Sequence, residues 1–219
     1  EDGIRDYVRW LEFRRVLFRS NQGVAEIASK PVFSFYTAEY LNTKVERFLA
    51  NQQVTDLTDN IAELEAGFDT DINDAYPYVT LRRFLAISKF YQGDFSGSAK
   101  VINNMRNELS LKKYLFSDVE SKLFQAMQYC YMGEDGLCGQ ILQSVKRQIP
   151  EDDRRFDPAN TFIKILKAAI KPEEFRKKVK KLTDLHEQFR QTLTTPDSML
   201  WFVKLDEPML RRLANPIKD

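Results

Sequence analysis

Apolar residues recur in this chain as triplets at i, i+3 and i+7: Ile61-Leu64-Phe68, Ile102-Met105-Leu109, Leu142-Val145-Ile149 and Leu182-Leu185-Phe189. Successive triplets start 41, 40 and 40 residues apart. The spacing within a triplet puts three side chains on one stripe of a helix. The spacing between triplets implies similar helical units, each of which buries its stripe only against its neighbours. The expected fold is therefore all-α, a solenoid of stacked helical hairpins with a period of about 40 residues. No alternation is sustained enough to propose a sheet.

Composition agrees with a folded helical chain. Of 219 residues, 43% are hydrophobic and 30% charged, which separates it from disordered sequences. The formal net charge is +1, so no global field points to nucleic acid or a membrane surface. There is no run of about 18 apolar residues, so no transmembrane helix is expected. No signal peptide is visible, and the expected location is cytoplasmic. Cys130 and Cys138 are too few for a disulfide framework and read as two reduced, buried small side chains.

Residues 1–20 stand apart. The string at 12–20, EFRRVLFRS, resembles a translated sequencing-adaptor scar, so 1–20 is set aside as a non-native or fragment segment. Residues 21–219 are read as one helical-repeat domain. Its units lie at about 35–70, 78–110, 118–150 and 157–193, and a terminal cap lies at 195–216.

The middle units align best. Phe84, Ala86, Tyr91 and Gly93 recur 40 residues on as Phe124, Ala126, Tyr131 and Gly133. Each glycine falls where the first helix of a hairpin must stop, since glycine takes the left-handed conformation at little cost. Small residues at Ser98-Ala99 and Cys138-Gly139 are expected to let the second helix approach the first. In the first unit, helices are expected over about 35–50 and 56–68. In the last unit the first helix runs from about 158 to 170, with Asp157 as N-cap and Pro158 in the first turn. Pro172 starts its partner, which runs to about 193 with Phe175 in the core. The cap should hold one short helix to about 205 and a second from 206 to near 215.

At these residues the chain resembles tetratricopeptide-like helical repeats. Ala86, Gly93, Phe95 and Ser98 sit at that family's spacing, and Ala126, Gly133 and Cys138 repeat most of it. The unit is longer than the family's usual length of about 34 residues. The family's Trp near the start of the first helix is missing, and Asp135 replaces the turn aromatic. The usual Pro after the second helix appears only as Pro150. The resemblance implies a right-handed superhelix whose inner face, lined by the first helices, binds extended peptides or partner proteins. It brings no catalytic residues.

The chemistry-bearing residues are sparse. His186 is the single histidine and reads as a surface or groove-edge residue. No metal-spaced cluster occurs, and GDFSG at 93–97 lacks the Lys and spacing of a phosphate loop. No catalytic, metal or cofactor site is expected. From 54 to 74 the chain carries seven acidic residues and no Lys or Arg. From 164 to 181 it carries Lys164, Lys167, Lys171, Arg176, Lys177, Lys178, Lys180 and Lys181 against Glu173 and Glu174. Few aromatics accompany that basic stretch, which disfavours nucleic acid as a partner. Arg82 and Lys122 are equivalent positions on successive first helices, with Lys89 two turns beyond Arg82. Stacking would make them a ladder of cations suited to an acidic peptide.

The expected function is a non-catalytic protein-interaction scaffold that binds a peptide or partner protein on the face of the first helices, through Arg82, Lys89 and Lys122. Three rivals stand beside it. One is a helical module of a larger enzyme or regulator continuing upstream. Another is an exported, lipid-anchored nutrient-binding protein, and the third is an RNA-binding repeat using the basic face.

Overall fold

The computed structural model describes residues 33–59, 61, 72, 74–150, 152–195 and 198–216, and every regular element among them is a helix. The adaptor-like string and most of the helix expected over 56–68 lie outside the described residues. The chain falls into two compact units, one ending at Ser88 and the other starting at Lys89.

In the first unit, helix α1 spans Phe33–Asn51. Ala38, Leu41, Val45 and Phe48 are buried and share one face of it, while Leu49 is half-buried. Gln52 ends α1 in the left-handed region at φ 58°. Its main-chain N–H bonds back to Phe48 O, and its side-chain amide donates to Leu49 O at 2.8 Å. Two open carbonyls of the helix end are thereby satisfied. The single turn α2, Thr55–Thr58, follows. Asp56 pairs with Arg47 of α1 at 3.0 Å, and Lys44 of α1 donates to Asp59 O at 3.1 Å. The opening of the acidic stretch is thus met by bases from α1. Helix α3, Ala75–Tyr91, contributes Arg83, which bonds Asn42 at 3.0 Å, and Ser88, which bonds Leu57 O at 3.1 Å.

The second unit begins in the last turn of α3 and continues through α4 (Phe95–Glu108), α5 (Leu115–Tyr131), α6 (Asp135–Lys146), α7 (Asp157–Ile170), α8 (Phe175–Thr192) and α9 (Glu207–Ala214). Helix α3 ends at Gly93 with φ 85°, and α5 ends at Gly133 with φ 72°. Gly93 N–H bonds to Phe90 O and Asp94 N–H to Lys89 O; Gly133 N–H bonds to Cys130 O and Glu134 N–H to Tyr129 O. Both are Schellman caps, which need a left-handed residue and satisfy the last carbonyls of the helix. The two turns are one main-chain structure repeated 40 residues apart. They differ in the cap of the following helix. Asp94 accepts from Gly97 N–H at 2.8 Å, whereas Glu134 makes no side-chain cap.

The third turn uses other means. It has no glycine, and α8 begins at Phe175, so Pro172 lies in the connection and not in the helix. Lys178 is buried and its ammonium donates to Ala169 O at 3.0 Å, closing the C-terminal end of α7. Phe175, expected in the core, is 42% exposed. Asp157 is already helical and does not cap α7.

The second and third apolar triplets bury their first two members and the fourth its first and third, while Leu64 and Phe68 of the first lie outside the described residues. Ile102, Met105, Leu142, Val145 and Leu182 are buried, as is Phe189, whereas Leu185 is half-buried. Leu109 and Ile149 fall just beyond the ends of α4 and α6 and are half-buried. Helix α5 lies at the centre of the unit, packed by α4, α6, α7 and α9, and residues 118–128 are all buried. Helix α7 also packs on α6 and α8, and α9 on α7 and α8. Among the described residues, the short helix expected before 205 is not formed. Leu200 takes φ 62°, which interrupts a helix, and the chain stays non-helical until Asp206 caps α9 by accepting from Met209 N–H at 2.9 Å.

Candidate partner-binding face

In the second unit, the end of α3 and one side of α5 carry a stretch of the same chain from Met199 to α9. Three side chains make four hydrogen bonds to its main chain. Glu120 of α5 accepts from Leu200 N–H at 2.8 Å. The Tyr91 hydroxyl donates to Phe202 O and accepts from Lys204 N–H, both at 2.9 Å. The Tyr131 hydroxyl donates to Met209 O at 3.2 Å. Burial pushes both phenols above their ordinary value, so each keeps the proton it donates.

Apolar contacts complete the hold. Phe124 meets Phe202 edge-on at 5.1 Å between centroids. Phe95 stacks on Tyr131 at 4.6 Å, and the Arg212 guanidinium lies 4.5 Å from the Phe95 ring centre. Met199, Leu200, Phe202, Val203 and Leu205 are all buried. Burying one such side chain contributes about 1.5–3 kcal/mol. The face therefore holds this stretch of its own chain by two means. Side chains bond its main-chain atoms, and apolar surface encloses the adjacent pairs Met199-Leu200 and Phe202-Val203 together with Leu205.

The residues expected to bind a partner are placed unequally. Arg82 belongs to the first unit, where its Nε lies 3.3 Å from the Tyr78 hydroxyl and its guanidinium 5.2 Å from that ring centre. Lys89 belongs to the second unit and forms an exposed pair with Asp94 at 3.3 Å. Lys122 is buried. Its ammonium bonds Asp118 at 2.6 Å and Gln148 at 2.7 Å. Arg106 of α4 adds a second cation 3.7 Å from Asp118 and bonds Gln125 at 2.9 Å. This cluster ties α4, α5 and the chain after α6 together, and Lys122 is occupied within it.

His186 is half-buried, 6.4 Å from the Phe189 ring. Burial, then the neighbouring Arg190 charge, lower its pKa, and Glu187 opposes them. Among the described residues, no group of three or more His, Cys, Asp or Glu side chains could hold a metal, and no helix is long and apolar enough to cross a membrane.

Tyr91 and Tyr131 were already paired by the 40-residue register, which marked the positions without revealing their use. Glu120 carries no such mark, because its partner lies 80 residues away. No protein-family model, curated protein or solved structure matches the chain.

Proposed function

We propose that this chain is a non-catalytic interaction scaffold of tetratricopeptide-like helical hairpins, whose first-helix face receives a stretch of partner polypeptide. The observation that supports it is the hold on residues 199–209 by Tyr91, Glu120 and Tyr131, which act on main-chain atoms. A face built to hold main chain in this way offers the same donors, acceptor and apolar surface to another segment. The repeated Schellman turns at Gly93 and Gly133 support the hairpin part of the reading. Of the three cations, Lys89 is the exposed one in this unit, at the edge of the same helix end as Tyr91. An acidic segment beside it would compete with Asp94 for the ammonium.

The test is affinity capture with the full chain as bait, followed by challenge of the retained proteins with a synthetic peptide of residues 198–216. A partner held by the bait and released by that peptide supports binding on this face. A folded, monodisperse bait that retains nothing, or a partner indifferent to the peptide, contradicts it.

A further inference from the structure

Cys130 in the last turn of α5 and Cys138 in the first turns of α6 face each other across the Gly133 turn, with their sulfurs 3.0 Å apart. Both are buried, and each thiol is the other's hydrogen-bond partner. We propose that Cys130 and Cys138 form a thiol–disulfide exchange site, whose oxidised state is an intramolecular disulfide that clips α5 to α6.

The geometry favours the bond. A disulfide has a sulfur–sulfur length of about 2.05 Å, so closure needs an approach of about 1 Å. The helices are already packed on each other, and Gly133 fixes the turn between them. These are also the only cysteines in the chain, so no competing pair exists.

The co-reactant is a small-molecule or protein disulfide. One cysteine, as its thiolate, attacks that disulfide, forms a mixed disulfide and expels one thiolate. The second cysteine then attacks the mixed disulfide at the first cysteine's sulfur. The Cys130–Cys138 bond forms and the second thiolate leaves. Two electrons pass to the reagent, and the two cysteine protons end on its two thiols. Hydrogen bonding to Cys138, then burial, push the Cys130 thiol well above its ordinary value. In the closed hairpin Cys130 is therefore protonated and both thiols are shielded, and exchange proceeds through opening of the turn or during folding. Once closed, the same burial shields the disulfide from reductants.

The experiment uses the full chain, reduced and unfolded, then refolded in buffers of graded reduced-to-oxidised glutathione ratio. It is quenched by alkylation and weighed. The expected result is a switch, at one ratio, from a chain carrying two alkyl groups to one carrying none and lighter by two hydrogens. The oxidised form should unfold at a higher urea concentration than the reduced form. Cys138→Ser should give mixed disulfide only. Native reduced protein should convert at least tenfold more slowly than refolding protein. Two alkyl groups at every ratio, or an oxidised form that unfolds at lower urea, would overturn the assignment.

Discussion

Glu120 of α5 accepts a hydrogen bond at 2.8 Å from the main-chain N–H of Leu200, a buried residue held at φ 62°. A left-handed leucine costs roughly 1–2 kcal/mol. That cost is offset where a buried carboxylate takes the N–H and the side chain is enclosed. The same residue therefore stops the expected helix, turns the chain, and anchors it to α5.

Removing that anchor should loosen the segment. Glu120→Ala leaves the Leu200 N–H without this acceptor, and a buried unsatisfied group costs about 1–3 kcal/mol. Urea unfolding should show a loss in that range, and proteolysis should cut first within residues 198–206. A Glu120→Ala protein of unchanged stability and unchanged cleavage pattern would show that the bond contributes nothing.

Glycine positions separate conformational need from space. At Gly93 an added Cβ meets nothing within 4 Å, yet φ is 85°, so Gly93→Ala should cost about 1 kcal/mol through the backbone alone. At Gly139, within helix α6, an added Cβ meets only Ile170 Cδ1 at 4.0 Å, an ordinary contact. Close helix approach does not require glycine there. Gly139→Ala should stabilise the protein by about 0.5–1 kcal/mol. Thermal melts of the two variants should therefore move in opposite directions.

Lys89 and Lys122, both in the second unit, should respond differently to substitution. Lys122→Met strips Asp118 of its nearest cation, and breaking a buried pair costs about 3–5 kcal/mol, with Arg106 keeping the loss at the low end. Lys89→Ala removes an exposed pair and should change stability by less than about 0.5 kcal/mol. Equal destabilisation by the two, measured by urea unfolding, would contradict the buried cluster.

His186 gives the fold a pH dependence of known sign. Its pKa is lowered in the fold, chiefly by burial, so the folded state prefers the neutral ring. Above the unfolded-state value of about 6.5 nothing is lost. As pH falls through that value, the unfolded chain takes up the proton first and stability declines, until the lower folded value is passed. The urea midpoint should fall between about pH 7.5 and pH 5.5, and His186→Gln should fall by less. Identical declines for both proteins would remove His186 as the source.

Much of the helical order was legible because it is written locally. Gly93 and Gly133 announced their turns, since few residues other than glycine adopt positive φ readily. The i, i+3, i+7 stripe found α4, α6 and α8, but periodicity does not mark helix ends, so Leu109 and Ile149, counted into those helices, lie one and three residues past their ends. Register put Phe175 inward, and the basic stretch gave no sign that Lys178 would be buried. Phe175 opens α8, ahead of its packed face, while the long Lys178 side chain reaches the open Ala169 carbonyl. The grip on residues 199–209 joins positions about 80 to 110 residues apart, and no local pattern encodes such a pairing.

The most direct test of that grip is amide hydrogen exchange on the full chain, read at Leu200 and Lys204. Their N–H groups bond to Glu120 and to the Tyr91 hydroxyl, so both should exchange far more slowly than unstructured chain. Protection at Lys204 should fall in Tyr91→Phe while the amides of α7 stay protected. Exchange at the unstructured rate at both positions in the wild-type protein would contradict a face that holds main chain.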